Sequence, residues 1–238
     1  MPASDSPQSR VLVLFQDADI VVVAKPAGLL VHPTDQAPDR VTVLQIARDA
    51  TGGAHLHPVH RLDRGASGVL LLARSPAAAA HLQGQLERGE ADKRYLAAVR
   101  GAPPEAGVID HPVPRREDGP RVPARTEYRR LEVATVAPEP GGPPRESRYA
   151  LVEARPLSGR FHQIRRHLKH IGHPLLGDVN YGRGEHNRLC RDRFGLHRLA
   201  LHAVRLTFDH PATGARMTIE APLPDDLRAP LTRMGLLP

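Results

Sequence analysis

The sequence predicts an α+β fold. Short apolar runs of strand length recur along the 238 residues, a few stretches carry helical spacing, and no regular strand–helix–strand alternation connects them. "VLVLFQDADIVVVAKPAGLLVHP" reads as a hairpin about the turn-like Gln16-Asp17-Ala18-Asp19. Pro26 and Gly28 break its second strand and send the chain into a loop containing His32. A short helix is expected from Val43 to Ala50, ended by Gly52-Gly53. The strand at 68–74 is apolar on both faces, as a fully buried strand should be. The next helix is the best marked: Ser75 can cap it, Pro76 suits its first turn, Leu82 and Leu86 share a face, and Gly89 closes it. "KRYLAAVRG" (93–101) reads as a strand, and further strands are expected at 125–134 and 148–156. Between those two, "PEPGGPPRES" (138–147) cannot hold regular structure and is expected to be a mobile loop. In "SGRFHQIRRHLKHIG", Phe161, Ile164, Leu168 and Ile171 form one stripe of an amphipathic helix that Gly172 stops. Strands near 198–208 and 216–220 and a short C-terminal helix complete the chain. Residues 1–9 read as a disordered tail, and 10–238 as one domain without repeats or a clean linker.

Composition narrows the function. Aromatics make up only 3% of residues, with no Trp, which argues against rows of stacking rings. Cys190 is the one cysteine, so an intrachain disulfide and a four-thiolate zinc site are excluded and a reducing, cytoplasmic setting is expected. The N-terminus lacks a signal-peptide layout, and the apolar runs are too short to span a membrane. The net charge is +7, and residues 160–205 account for all of it, with ten Arg or Lys against three acids. A charge-balanced scaffold with one basic segment is the footprint of a polyanion-binding face.

"HRLDRGASGVLLLAR" (60–74) sets His60, Arg61, Asp63 and Arg64 against a buried strand, with Gly65 and Gly68 between. Glycines there permit close approach of another backbone or a ligand. A carboxylate at such a strand end needs a cation or donors to stay ionised, which suits a nucleophile or base; an ordinary ion pair with Arg61 or Arg64 is the alternative. Arg165 lies one residue beyond the apolar stripe of its helix, so its stem can pack while the guanidinium turns to the core edge. Arg166 and Lys169, further round, should face solvent or phosphate, and Tyr95 is either a packed strand tyrosine or a stacking surface. The sets His55, His57, His60 and His167, His170, His173 lack the i, i+4 pair and the acid of the common helical zinc motif, so no metal is expected.

These segments resemble the RluA-type pseudouridine synthases. "HRLDRGASG" is similar to the family's catalytic motif. "KPAGLLVHP", "KRYLAAVRG", "GRFHQIRRHL", "HPLLGDVNYG" and "LALHA" follow the family's other blocks in order, over roughly residues 11–222. The resemblance implies a curved, mixed, mainly antiparallel sheet with flanking helices and a central active-site cleft. It implies that Asp63 is the catalytic aspartate, that Tyr95 stacks on the uracil and takes the C5 proton, and that Arg165 pairs with the aspartate. Arg61 would enter the RNA stack as the uridine flips out, and Arg64, Lys93, Arg94, Arg160, His162, Arg166 and Lys169 would hold RNA.

The implied reaction breaks the N1–C1′ bond, turns the uracil over and joins C5 to C1′. No atoms are gained or lost, so the expectation is a carboxylate that adds to the sugar or removes its 2′ proton, without cofactor or metal. Unstacking the base costs a few kcal/mol, which inserted side chains and phosphate contacts must offset. The short stretch before the first strand leaves an S4 RNA-binding module unexpected. The doubled arginine of "QIRRHL" and the insert "GRGEHNRLCRDRFGLHRLALHA" resemble the branch that modifies uridine 65 of tRNA. The expected partner is therefore RNA, foremost tRNA, bound by a cytoplasmic monomer. Ribosomal RNA as substrate, or RNA binding without catalysis, are the alternatives.

Overall fold

A computed structural model describes residues 11–33, 41–138 and 145–238. The tail expected at 1–9 and most of the loop expected at 138–147 lie outside them. In chain order the elements are β1 (Leu12–Gln16), β2 (Ile20–Lys25), α1 (Val43–Ala50), β3 (His57–Pro58), β4 (Ser67–Ala73), α2 (Pro76–Arg88), β5 (Asp92–Arg100), β6 (Ala106–Asp110), β7 (Val113–Pro114) and β8 (Arg121–Val122). They continue with β9 (Arg125–Val136), β10 (Ser147–Pro156), α3 (Gln163–His170), α4 (Gly184–Phe194), β11 (Leu201–Asp209), β12 (Arg216–Glu220) and α5 (Asp225–Arg233). The chain forms two compact units, one holding the residues up to Asp92 with Ala203–Pro222, the other Lys93–His202 with Leu223–Pro238.

In the first unit the strands run β1-β2-β4-β11, with β3 on β4 and β12 on β11. The all-apolar stretches have their explanation in two covered faces. Val69, Leu71 and Ala73 of β4 pack with Ile20 and Val22 of β2 and with Ala78, Ala79 and Leu82 of α2. Leu70 and Leu72 face the other way, onto Val21, Val23 and the Val43, Leu44 and Ala47 side of α1. Both helices are capped as their sequences suggest. Thr42 Oγ1 accepts from Gln45 N–H and Ser75 Oγ from Ala78 N–H.

The second unit is built on β5-β10-β9-β6, antiparallel at each register the strands share. Its core joins Tyr149 and Leu151 of β10 to Leu189, Cys190 and Phe194 of α4 and to Leu227 and Leu231 of α5. Burial pushes the Cys190 thiol up to about 12, so it packs as an inert apolar group. α4 has no counterpart in the sequence reading, because its buried side combines His186 with Leu189, Cys190 and Phe194 among charged residues and so carries no clear apolar stripe. β6 escapes that reading for a different reason. It shows almost no buried side chain and exists through its backbone pairing with β9, where Gly107 lies against the Tyr128 ring.

Gly68 takes the first of the two uses expected of the glycines there, the close approach of another backbone. A Cβ at this position would meet the backbone of Ala203, nitrogen at 2.5 Å and carbonyl carbon at 2.7 Å, and φ is +118°. The glycine serves the close packing of β4 on β11. Gly68→Ala should therefore destabilise the protein by about 3 kcal/mol or more, read from chemical denaturation midpoints.

Candidate active site

Asp63 sits half-buried where a turn enters β4, and its carbonyl accepts the Ala66 N–H at 3.0 Å. The turn is fastened from below by Lys25, the last residue of β2 and only 1% exposed. Its ammonium donates to the carbonyls of Pro26 (2.9 Å), Arg64 (3.2 Å) and Ala66 (2.7 Å), matching three N–H donors with three acceptors. Gly28 N–H donates to the Arg64 carbonyl (2.8 Å) and Arg64 Nε returns a bond to the Gly28 carbonyl (2.9 Å). The "KPAG" and "DRGA" segments are thus laced together directly after Asp63. Arg61 is exposed. The sequence reading passes over Lys25 as a site residue, although a lysine ending an otherwise apolar strand is a usable signal.

In the second unit Tyr95 is half-buried on β5, opposite Ala154 of β10. Strand alternation puts Lys93 on its face, where Nζ reaches the Ser158 carbonyl at 3.2 Å. Arg94 points to the opposite face and pairs with Glu153 at 3.3 Å, so β5 does not present its two cations together.

α3 is docked by two buried polar side chains. Gln163 accepts from Ser158 Oγ (2.7 Å) and Arg160 N–H (3.1 Å) and donates to the Arg125 carbonyl (2.9 Å) and Thr126 Oγ1 (3.1 Å). His167 donates from Nε2 to the His111 carbonyl and accepts at Nδ1 from Thr126 Oγ1, each at 2.8 Å. This anchoring sets the rotation of the helix and buries Arg165. Its Nε and Nη2 donate side-on to Asp178, at 2.7 and 2.9 Å, with Asp178 itself 1% exposed. Burial, the largest single influence, would raise the Asp178 carboxyl, but the hydrogen bonds and charge of Arg165 together with the N–H groups of Tyr181 and Asn180 outweigh it and hold the carboxyl below its usual range. The resemblance assigns Arg165 to Asp63; Asp178 is a carboxylate partner it does not name.

Tyr181 gathers the rest. Its ring centroid lies 4.9 Å from the Arg165 guanidinium, 5.1 Å from that of Arg166 and 5.8 Å from Lys169 Nζ. Its hydroxyl meets His162 Nδ1 at 3.1 Å. His162 stacks on Phe161 with centroids 3.8 Å apart and adopts φ 53°, the one positive-φ residue other than glycine among the described residues. Such strain persists only where surroundings dictate it. Hence His162, Arg165, Arg166 and Lys169 converge, around a tyrosine the sequence reading holds only inside "HPLLGDVNYG". The basic excess of 160–205 is smaller in effect than by count, since Arg165 is spent on Asp178 and Arg198 on Asp226 (2.8 Å).

The histidines point to protein partners. His173 Nδ1 donates to the Arg100 carbonyl (2.9 Å), and His60 Nε2 accepts the Leu71 N–H (3.2 Å). Asp17, Asp19 and His210 are close enough to share a cation. However, His210 Nδ1 accepts the N–H groups of Ala212 and Thr213, so Nε2 carries the proton that binds Asp17 at 2.8 Å. Asp17 also takes the N–H groups of Asp19 and Ile20, making a locked turn of the kind that stabilises a hairpin.

A model of the RNA pseudouridylate synthase family matches residues 19–170. The tRNA pseudouridine synthase C of Salmonella typhimurium is 42% identical over 234 residues, covering 94% of this chain and 89% of that protein. The protein of the same name from Vibrio cholerae is 39% identical over 235 residues, covering 94% and 95%. Among solved structures, Human RNA Pseudouridylate Synthase Domain Containing 4 is similar with a TM-score of 0.71 at 28% identity, over 94% of this chain and 93% of that one.

Two outcomes are expected. Lys25→Met removes the ammonium from the Pro26 and Ala66 carbonyls, while that of Arg64 keeps the Gly28 N–H, and should cost about 2–4 kcal/mol in denaturant unfolding. Burial, above all, holds His111, His167 and His186 below the ordinary 6.5, so the unfolded chain binds their protons more tightly. Their contribution to stability is complete above pH 6.5 and is lost as pH falls through the folded values. Unfolding midpoints should drop as pH falls below about 6.5, with a shallower slope in His167→Gln.

Proposed function

The chain belongs to the RNA pseudouridylate synthase family, and from that premise we propose that it converts uridine 65 of tRNA to pseudouridine. It is an isomerase acting on RNA. The observation that carries the choice of tRNA is the similarity, along 94% of the chain, to relatives named for tRNA. Residues 10–238 act as the catalytic domain, in a cytoplasmic monomer. No helix among the described residues is long and apolar enough to cross a membrane.

Asp63 is the group that attacks the sugar or removes its 2′ proton while the uracil is released and rotated. The lacing of its turn by Lys25, Arg64 and Gly28 supports this role, because a reacting carboxylate gains from a backbone that cannot shift. Tyr95 stacks on the flipped uracil and takes the C5 proton, and Arg165 serves the aspartate as its cation. Arg61 replaces the flipped base in the RNA stack. The exposed Lys169, with Arg166, Arg160 and His162 near it on α3 and its entry, supports phosphate binding at that helix, and Arg64, Lys93 and Arg94 contribute more weakly because each already holds a protein partner.

The test uses tRNA tritiated at uracil C5. Wild type should release tritium to water, with the modification mapping to position 65. Asp63→Asn should slow release by about 10³-fold or more while tRNA affinity stays within about threefold. Arg166→Ala and Lys169→Ala should instead weaken binding and reduce the salt slope by about 0.7–0.9 for each phosphate interaction removed. Release from ribosomal RNA but not from tRNA would overturn the substrate, and release by Asp63→Asn at the wild-type rate would overturn the mechanism.

A further inference from the structure

We propose that Asp178 is a positioning residue for catalysis: with the ring of Tyr181 it fixes the guanidinium of Arg165 in one orientation, so that the arginine is presented ready-aimed to the reacting carboxylate. The inference rests on the role of Arg165 in pseudouridine formation proposed above.

A guanidinium on a flexible stem is held only if its plane and its edge are both set. Here two different groups set them. Asp178 takes the Nε–Nη2 edge in a fork of 2.7 and 2.9 Å, and Tyr181 lies 4.9 Å from the guanidinium carbon.

The carboxylate is itself immobilised. Asp178 Oδ1 accepts the N–H groups of Asn180 and Tyr181, both at 3.0 Å, which closes the loop tightly and carries the tyrosine ring to the arginine. The Asp178 carbonyl accepts from Gly182 N–H at 3.0 Å and Asn187 Nδ2 at 2.9 Å, and Asn187 Oδ1 receives the Gly177 N–H at 3.0 Å. One α4 side chain thus bridges both sides of the aspartate. Gly177 has φ +71°, and any Cβ there would strike the Arg198 backbone, so the loop packs directly on that segment.

The experiment measures single-turnover tritium release and tRNA affinity with the full chain. Asp178→Asn should lower the rate about 100-fold with affinity within about threefold, as expected for a misplaced catalytic partner. Arg165→Met should be comparably slow, and adding Asp178→Asn to it should cost nothing further, because Asp178 acts through the arginine. An Asp178→Asn rate within about twofold of wild type, an additive double variant, or affinity falling in step with rate would each overturn the proposal. If Asp178→Asn fails to fold, Tyr181→Leu decides. Slower release at unchanged affinity, with Tyr181→Phe regaining most of the rate, supports it; a wild-type rate in Tyr181→Leu overturns it. A wild type that releases no tritium would instead defeat the reading of the reaction, and this inference with it.

Discussion

A guanidinium taken out of water must be met by a carboxylate of matching geometry, and in the second unit much of the local structure serves that requirement at Arg165. Removing one partner from such a buried pair typically costs about 3–5 kcal/mol, which sets the scale of the constraint. Asp178 has to arrive side-on, so the chain after Gly177 turns sharply; the turn needs N–H donors for the second carboxylate oxygen, so Asn180 and Tyr181 supply them. The loop then needs an outside tie, which Asn187 of α4 provides. α3 must meanwhile hold its rotation, and Gln163 and His167 hold it through β9. A helix insert, a glycine and a tyrosine all follow from one buried cation.

The first unit solves the same problem with the opposite chemistry. There the buried cation is Lys25, and it is met by backbone carbonyls. Three neutral acceptors match the three donors of an ammonium, so the turn that carries Asp63 is fixed through its backbone. Gly68 continues the same economy of space by letting β11 approach the strand that follows.

The strands and helices with a periodic apolar signal are legible in the sequence. β2, β4, α1 and α2 fall within a residue or so of their expected positions, since caps and two-sided burial act locally. α4 and β6 are not, because one depends on partners distant in sequence and the other on backbone pairing alone. At the site, the Asp63, Tyr95 and Arg165 motifs can be read as a family pattern, whereas Lys25, Asp178 and Tyr181 cannot be assigned work. Their importance lies in which acceptors and rings they meet, and each meets them across tens of residues or around a loop.

What the sequence by itself determined is the α+β class and the family, because these follow from residue type, spacing and order. What only the tertiary structure decided is how the cations are spent. Arg94 turns to Glu153, Arg198 to Asp226 and Arg165 to Asp178, while Lys169 remains on the surface. Formal charge counts every arginine alike, but burial separates them: a cation removed from water must find a fixed partner, and one left in water stays available for phosphate.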